Sequence, residues 1–157
     1  VINMAIRNIV KEGDERLAKV CRPVEKFDRH LEELVHDMKD TLKLAEGLGL
    51  AAPQVGILRR VVVVVDDNGK MFELINPEIV EAVGEQEAHE GCLSIPGVFG
   101  VTRRPARVTV RAKNVKGEEV QYTREGITAV CFCHELDHLD GILFRTHVEH
   151  YLDPDED

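Results

Sequence analysis

The residues with the clearest chemical potential are His134, Glu135 and His138 in the run His134-Glu135-Leu136-Asp137-His138. In a helix, residues four apart share a face, so both imidazoles can be directed at one metal ion. Glu135 is rotated ~100° from His134 at 3.6 residues per turn. It can flank the ion without ligating and take a proton from an activated water. Such a pair also fits a helix with two incidental histidines, so the remaining ligands decide the matter. A catalytic ion usually has three protein ligands. The metzincin spacing fails, because Phe144 stands where a third histidine would be. A thermolysin-like scheme would need Glu149 or Glu156 from a short acidic tail, a poor platform. Upstream, Glu90-Gly91-Cys92-Leu93-Ser94-Ile95-Pro96-Gly97 holds Cys92 in a glycine-flanked segment, which reads as a loop. A Cys92 thiolate would complete a Cys-His-His set, although an ordinary buried cysteine is the common alternative.

These residues need elements to position them. Glu125 to Leu139 reads as a helix with Gly141 beyond its end, and Ile127, Val130, Cys131, His134 and His138 lie on one face. The apolar stripe therefore runs into the two histidines. A first helix starts after Asp28, a suitable N-cap, and carries Leu31, Leu34, Val35, Met38, Leu42 and Ala45 at helical spacing until Gly47. Gly47 to Gly56 is a run of small residues that lets backbone approach a ligand closely. Arg60 to Asp66 is a β-branched strand, Met71 to Ile75 a second, and Pro77 to Glu87 contains a third. Arg107 to Asn114 and Glu118 to Thr123 form a hairpin about Lys116-Gly117. The order implies an α+β fold, mostly antiparallel sheets around a C-terminal helix carrying the histidines, plus an N-terminal helix.

Bulk properties bound the function. The 157 residues suit a single domain, with 1–3 read as an upstream extension before Met4 and 149–157 as an acidic tail. A net charge of −9 argues against a general nucleic-acid binder. No apolar run approaches the ~20 residues that span a bilayer, and no signal peptide is visible. The four cysteines show no disulfide framework, which points to a reduced, cytoplasmic setting.

Three segments now stand together: GLGLAAPQVG at 47–56, EGCLSIPG at 90–97 and HELDHLDG at 134–141. As a set they closely resemble peptide deformylase, in its shorter bacterial type, a family that removes the formyl group from the N-terminal methionine of new polypeptides. The likeness runs from Met4 to about Phe144. It implies Cys92, His134 and His138 as metal ligands and Glu135 as general base and acid. It implies that the Gln54 amide and the Leu93 backbone N–H donate to the oxyanion. Gly49 would let the substrate chain pair like an added strand, and Leu48 would line the methionine pocket; Val130 and Cys131 fit that pocket by the helix-face argument. The resemblance further implies Fe(II) as the physiological ion, with Zn(II), Ni(II) or Co(II) compatible in purified protein. It implies N-formylmethionyl nascent chains as substrate, met near the ribosome, and an ion pair between Glu90 and Arg104 behind the cysteine segment.

One departure is Cys133, where the family usually has Gln before the first histidine. A rival reading makes Cys131-x-Cys133-His134 a metal motif, but two residues apart on a helix point to opposite sides. Asp137 and Asp140 read as exposed helix acids, Asp137 with the option of supporting an outer shell. His30, His36, His89, His147 and His150 show no pattern and read as surface residues. Two other functions fit the ligands: a metallopeptidase with a different third ligand, and a metal-stabilised binding module. The latter needs neither Glu135 nor Gln54.

Overall fold

Five consecutive valines, Val61–Val65, make the interior strand β2, and four of them are buried. Continuous rather than alternating burial requires cover on both faces of the sheet. The computed structural model, which describes residues 5–153, supplies it. Helix α1 (Arg29–Ala45) packs Leu31, Leu34, Val35, Met38 and Leu42 onto Val61, Val63 and Ile75. Helix α2 (Gly126–Leu139) packs Ala129, Phe132, Leu136 and Leu139 onto Val62, Val64, Phe72 and Leu74 on the other face. Phe132 is fully buried there. Truncating such a side chain to Ala typically costs ~3–5 kcal/mol.

The sheet is antiparallel, in the order β1 (Gly49–Ala51), β2, β3 (Met71–Val83), β6 (Arg107–Lys113), β7 (Glu119–Glu125). A second antiparallel sheet orders β4 (Gln86–Cys92), β5 (Ile95–Arg104) and β8 (His150–Tyr151). The architecture is thus α+β, with antiparallel sheets about the C-terminal helix, as expected. Asp28 caps α1, its Oδ1 accepting from Leu31 N at 3.1 Å. The hairpin turns at Gly117, whose N–H donates to Asn114 O.

Several elements differ from the sequence expectation. Met71 to Val83 is one strand, not a strand followed by a second at Pro77 to Glu87. Pro77 has no N–H for a ladder. It is accommodated because β2 ends at the Val61–Ile75 pair and the β3–β6 register shifts between Ile75 and Glu78. Asn76 adopts a φ of 52° at that point, and its side chain holds Val24 N at 2.8 Å and Val24 O at 2.9 Å. The segment around Cys92 is a hairpin, β4 to β5, rather than a loop. Part of the acidic tail, Glu149 to Leu152, lies along β5, with Glu149 N donating to Val101 O and Leu152 N to Phe99 O. The proposed extension at 1–3 and the last four residues of the tail lie outside the described residues.

Candidate active site

Helix α2 differs from an ordinary amphipathic helix. It is buried nearly all round, from Thr128 to Leu136 without interruption, because both sheets close on it. His134 and His138 extend from its last turns toward the end of β4, where Cys92 lies. One donor atom from each of Cys92, His134 and His138 falls within 4.8 Å of the others, forming a metal-binding cluster. His138 Nε2 is 3.4 Å from Cys92 Sγ. His134 uses Nδ1 for Glu90 Oε1, at 2.8 Å, which leaves its Nε2 for the cluster.

The donor chemistry suits a cation. Burial pushes the His138 imidazole down, and the neighbouring His134 pushes it further, to about 3, so it stays neutral with a free lone pair. Burial also acts to lower His134. The charge of Glu135 and the hydrogen bonds to Cys92 and Glu90 outweigh it and raise the group to about 10. Negative groups that favour a proton there favour a metal ion equally. Soft thiolate and imidazole donors fit Zn(II), Fe(II), Co(II) or Ni(II).

Glu135 stands beside the cluster, Oε2 lying 3.9 Å from His134 Nε2. Its Oε1 is buried and has no hydrogen-bond partner among the described residues. Burial pushes this carboxyl up to about 7. A carboxyl near neutrality can both accept and return a proton. Gln54 is fully buried in the short 3-10 turn Ala52–Val55. Its Oε1 accepts from Ala51 N at 2.9 Å, which turns the amide nitrogen toward Ser94 Oγ at 3.1 Å and Cys92 Sγ at 3.6 Å. Leu93 directly follows Cys92 at the hairpin turn.

These groups open onto a cavity of about 730 Å³, lined also by Leu48, Gly49, Leu93, Val130 and Cys131. Every residue anticipated from the sequence as part of the site is therefore beside the cluster or its cavity. The outermost strand of each sheet, β1 and β4, contributes to the wall. Sequence reasoning missed Phe99 and the glycine beneath it: a β-carbon on Gly91 would lie 2.6 Å from the Phe99 ring. Phe99 sits on β5, and no local pattern marks it as facing the cavity.

Behind the cluster, Glu90 and Arg104 pair as anticipated. Arg104 Nε donates to Glu90 Oε2 at 2.7 Å and Nη2 to Oε1 at 2.9 Å; the Thr102 hydroxyl also donates to Glu90. Burial acts to raise Glu90, but His134, Arg104 and Thr102 hold it down at about 2. Asp137 is not a free surface acid: its Oδ2 accepts from Arg104 Nη1 at 2.9 Å. Asp140 does stand at the surface, against Arg60. His30, His36, His89 and His150 are exposed, whereas His147 Nε2 is buried 3.1 Å from Asp137 Oδ2. Cys133 packs in the core beneath α2, and burial raises its thiol to about 11. Cys131, raised to about 12 by burial and then by Glu135, lines the cavity. All four cysteines are free thiols.

Comparison with known proteins agrees with this arrangement. The family model for polypeptide deformylase matches residues 6–152. A peptide deformylase of Acetivibrio thermocellus is 54% identical over 153 residues, covering 98% of this chain and 89% of that protein. Peptide deformylase 2 of Clostridium acetobutylicum is 51% identical, covering 95% of this chain and 99% of that one. Among solved structures, the Legionella pneumophila peptide deformylase superposes with a TM-score of 0.89 at 44% identity, covering 92% of this chain and 87% of that one. An Acinetobacter baumannii class I type b enzyme with Met-Ala-Ser bound gives 0.88 at 31% identity, covering 93% and 100%. With its motifs brought into one cavity and its whole described length matched, the chain belongs to the polypeptide deformylase family.

Proposed function

We infer that this chain is a metal-dependent hydrolase that removes the formyl group from the N-terminal formylmethionine of nascent polypeptides, releasing formate. The observation that carries the reading is the donor cluster of Cys92, His134 and His138 beside a buried carboxyl, Glu135, in a family of deformylases. In this reading the cluster's three side chains are the ligands of one divalent ion. When bound, that ion supplies Lewis acidity and lowers the pKa of a water to near neutrality. Fe(II) is the proposed physiological ion, with Zn(II), Ni(II) or Co(II) able to replace it.

Glu135 accepts the proton of the attacking water and later returns it to the leaving amine nitrogen. Burial, which disfavours its charged form, helps it to hold and pass on that proton. The Gln54 amide and the Leu93 N–H donate to the formyl oxygen as charge grows on it. Gly49 on the open edge of β1 pairs with the substrate backbone as an added strand. Leu48, Val130 and Cys131 receive the methionine side chain. The Met-Ala-Ser bound to the Acinetobacter enzyme is the product that formyl-Met-Ala-Ser would leave, which supports a peptide substrate for this chain. A nascent-chain substrate puts the enzyme in the cytoplasm near the ribosome. We take residues 1–157 to act as one catalytic domain.

The test is formate release from formyl-Met-Ala-Ser by anaerobically prepared, Fe(II)-loaded protein. Wild type is expected to release formate, and Glu135→Ala, with the ion still bound, is not. Absence of turnover by folded, metal-replete wild type would reject the reading. Loss of activity in air by the Fe(II) form but not the Zn(II) form checks the ion.

A further inference from the structure

The segment after α2 reaches His134 directly through Phe144 and indirectly, from two sides, through Arg104 and Glu90. Phe144 is fully buried, and its ring stacks on the His134 imidazole with centroids 5.9 Å and planes 25° apart. His147 brings Nε2 to 3.1 Å from Asp137 Oδ2, the oxygen that accepts from Arg104 Nη1. Arg104 grips both oxygens of Glu90, and Glu90 Oε1 meets His134 Nδ1. Finally, β8 pairs with Gly100 and Val101 of β5, the strand that delivers Thr102 and Arg104 to Glu90. Val148 packs so closely on this strand that a β-carbon at Gly100 would lie 2.7 Å from its Cγ2.

An imidazole ligand has two soft freedoms, its tautomer and the rotation of its ring. Glu90 selects the tautomer by holding Nδ1. Phe144 blocks the rotation by covering one ring face. Asp137 holds the far end of the guanidinium that orients Glu90, and His147 stands against that carboxylate. As an isolated pair, His147 and Asp137, with side chains 37% and 25% exposed, would contribute little. Their significance is that Asp137 Oδ2 is shared with a buried cation.

We propose that Phe144–Tyr151 braces the metal centre, with Phe144, Asp137 and His147 as positioning residues that fix His134. The proposal rests on the reading of Cys92, His134 and His138 as the ligands, but its test does not depend on catalysis. The rate of Zn(II) transfer to a chromophoric chelator is measured for Phe144→Leu, Asp137→Asn and His147→Ala at one pH. The visible absorption of the Co(II)-loaded proteins reports ligand geometry independently. Leu34→Ala, which thins the α1 core on the opposite face of the sheet, controls for general destabilisation.

Asp137→Asn and Phe144→Leu are expected to release Zn(II) ~10–100-fold faster, and His147→Ala about threefold or more, with altered Co(II) bands. Leu34→Ala should lower the melting temperature and leave release within about twofold of wild type. Folded variants with wild-type release and spectra would overturn the brace. Equal acceleration by Leu34→Ala would do the same. Should Phe144→Leu not fold, the part-exposed His147→Ala decides. Wild type that retains no Zn(II) overturns the ligand reading and the brace together. Retained Zn(II) without turnover of formyl-Met-Ala-Ser rejects only the deformylase reading.

Discussion

Gly49 faces Glu135 so closely that a β-carbon on the glycine would lie 2.6 Å from Glu135 Oε2 and 2.7 Å from its Cγ. The glycine is required by the carboxylate it confronts, because the Glu135 side chain occupies the space that a β-carbon would need.

Gly49→Ala is therefore expected to displace Glu135 rather than to unfold the chain. A misplacement of ~1 Å at a reacting group can cost ~10²-fold. The expected outcome is a fall in kcat/KM of about that size with a melting temperature near wild type. An unchanged kcat/KM would mean that Glu135 can give way without losing its catalytic position.

Gln54 is oriented by the Ala51 N–H on its carbonyl side, so its amide nitrogen faces the cluster. Gln54→Ala should lower kcat by ~10²–10³-fold, the usual loss for one oxyanion donor. Metal content measured on the same sample should stay at wild-type level. Loss of the ion instead would make Gln54 a structural prop for Cys92.

At the cavity mouth Phe99 and Ile127 are 53% and 68% exposed, which is high for large apolar side chains lining one cavity. They are placed to meet substrate side chains beyond the methionine. Phe99→Ala and Ile127→Ala should raise KM for formyl-Met-Leu-Phe about tenfold, roughly one lost apolar contact of ~1–3 kcal/mol, with kcat little changed. Equal effects on formyl-Met alone would place these residues in the methionine pocket.

Cys131 and Cys133 predict an alkaline limit to stability. Burial raises both thiols from 9.0, to about 12 and about 11, so the fold favours their protonated forms. That contribution is fully present below pH 9 and is lost as pH rises through the folded values. Above pH 9 each thiol should remove ~1.4 kcal/mol of unfolding free energy per pH unit until its folded value is reached. Denaturation midpoints of the Cys131→Ala, Cys133→Ala double variant should fall less steeply over that range than those of wild type, whatever its stability at pH 7.

The sequence by itself determined the helix that carries His134 and His138, and the side of it they share, because helical periodicity is local. It determined β2 from its valines and the hairpin at Gly117 from its turn residues, for the same reason. The glycine-flanked segment around Cys92 offered a third ligand, and the resemblance added the role of Gln54. Only the tertiary structure decided that Cys92 ends a strand, that α2 is covered by sheet on several sides, and that Asp137 and His147 are held inward. Exposed acids and histidines look alike in sequence; Asp137 is drawn in by Arg104, which arrives from β5, and His147 stands against Asp137. Burial of that kind depends on which strands pack against a helix from far along the chain, and no spacing within a segment encodes it.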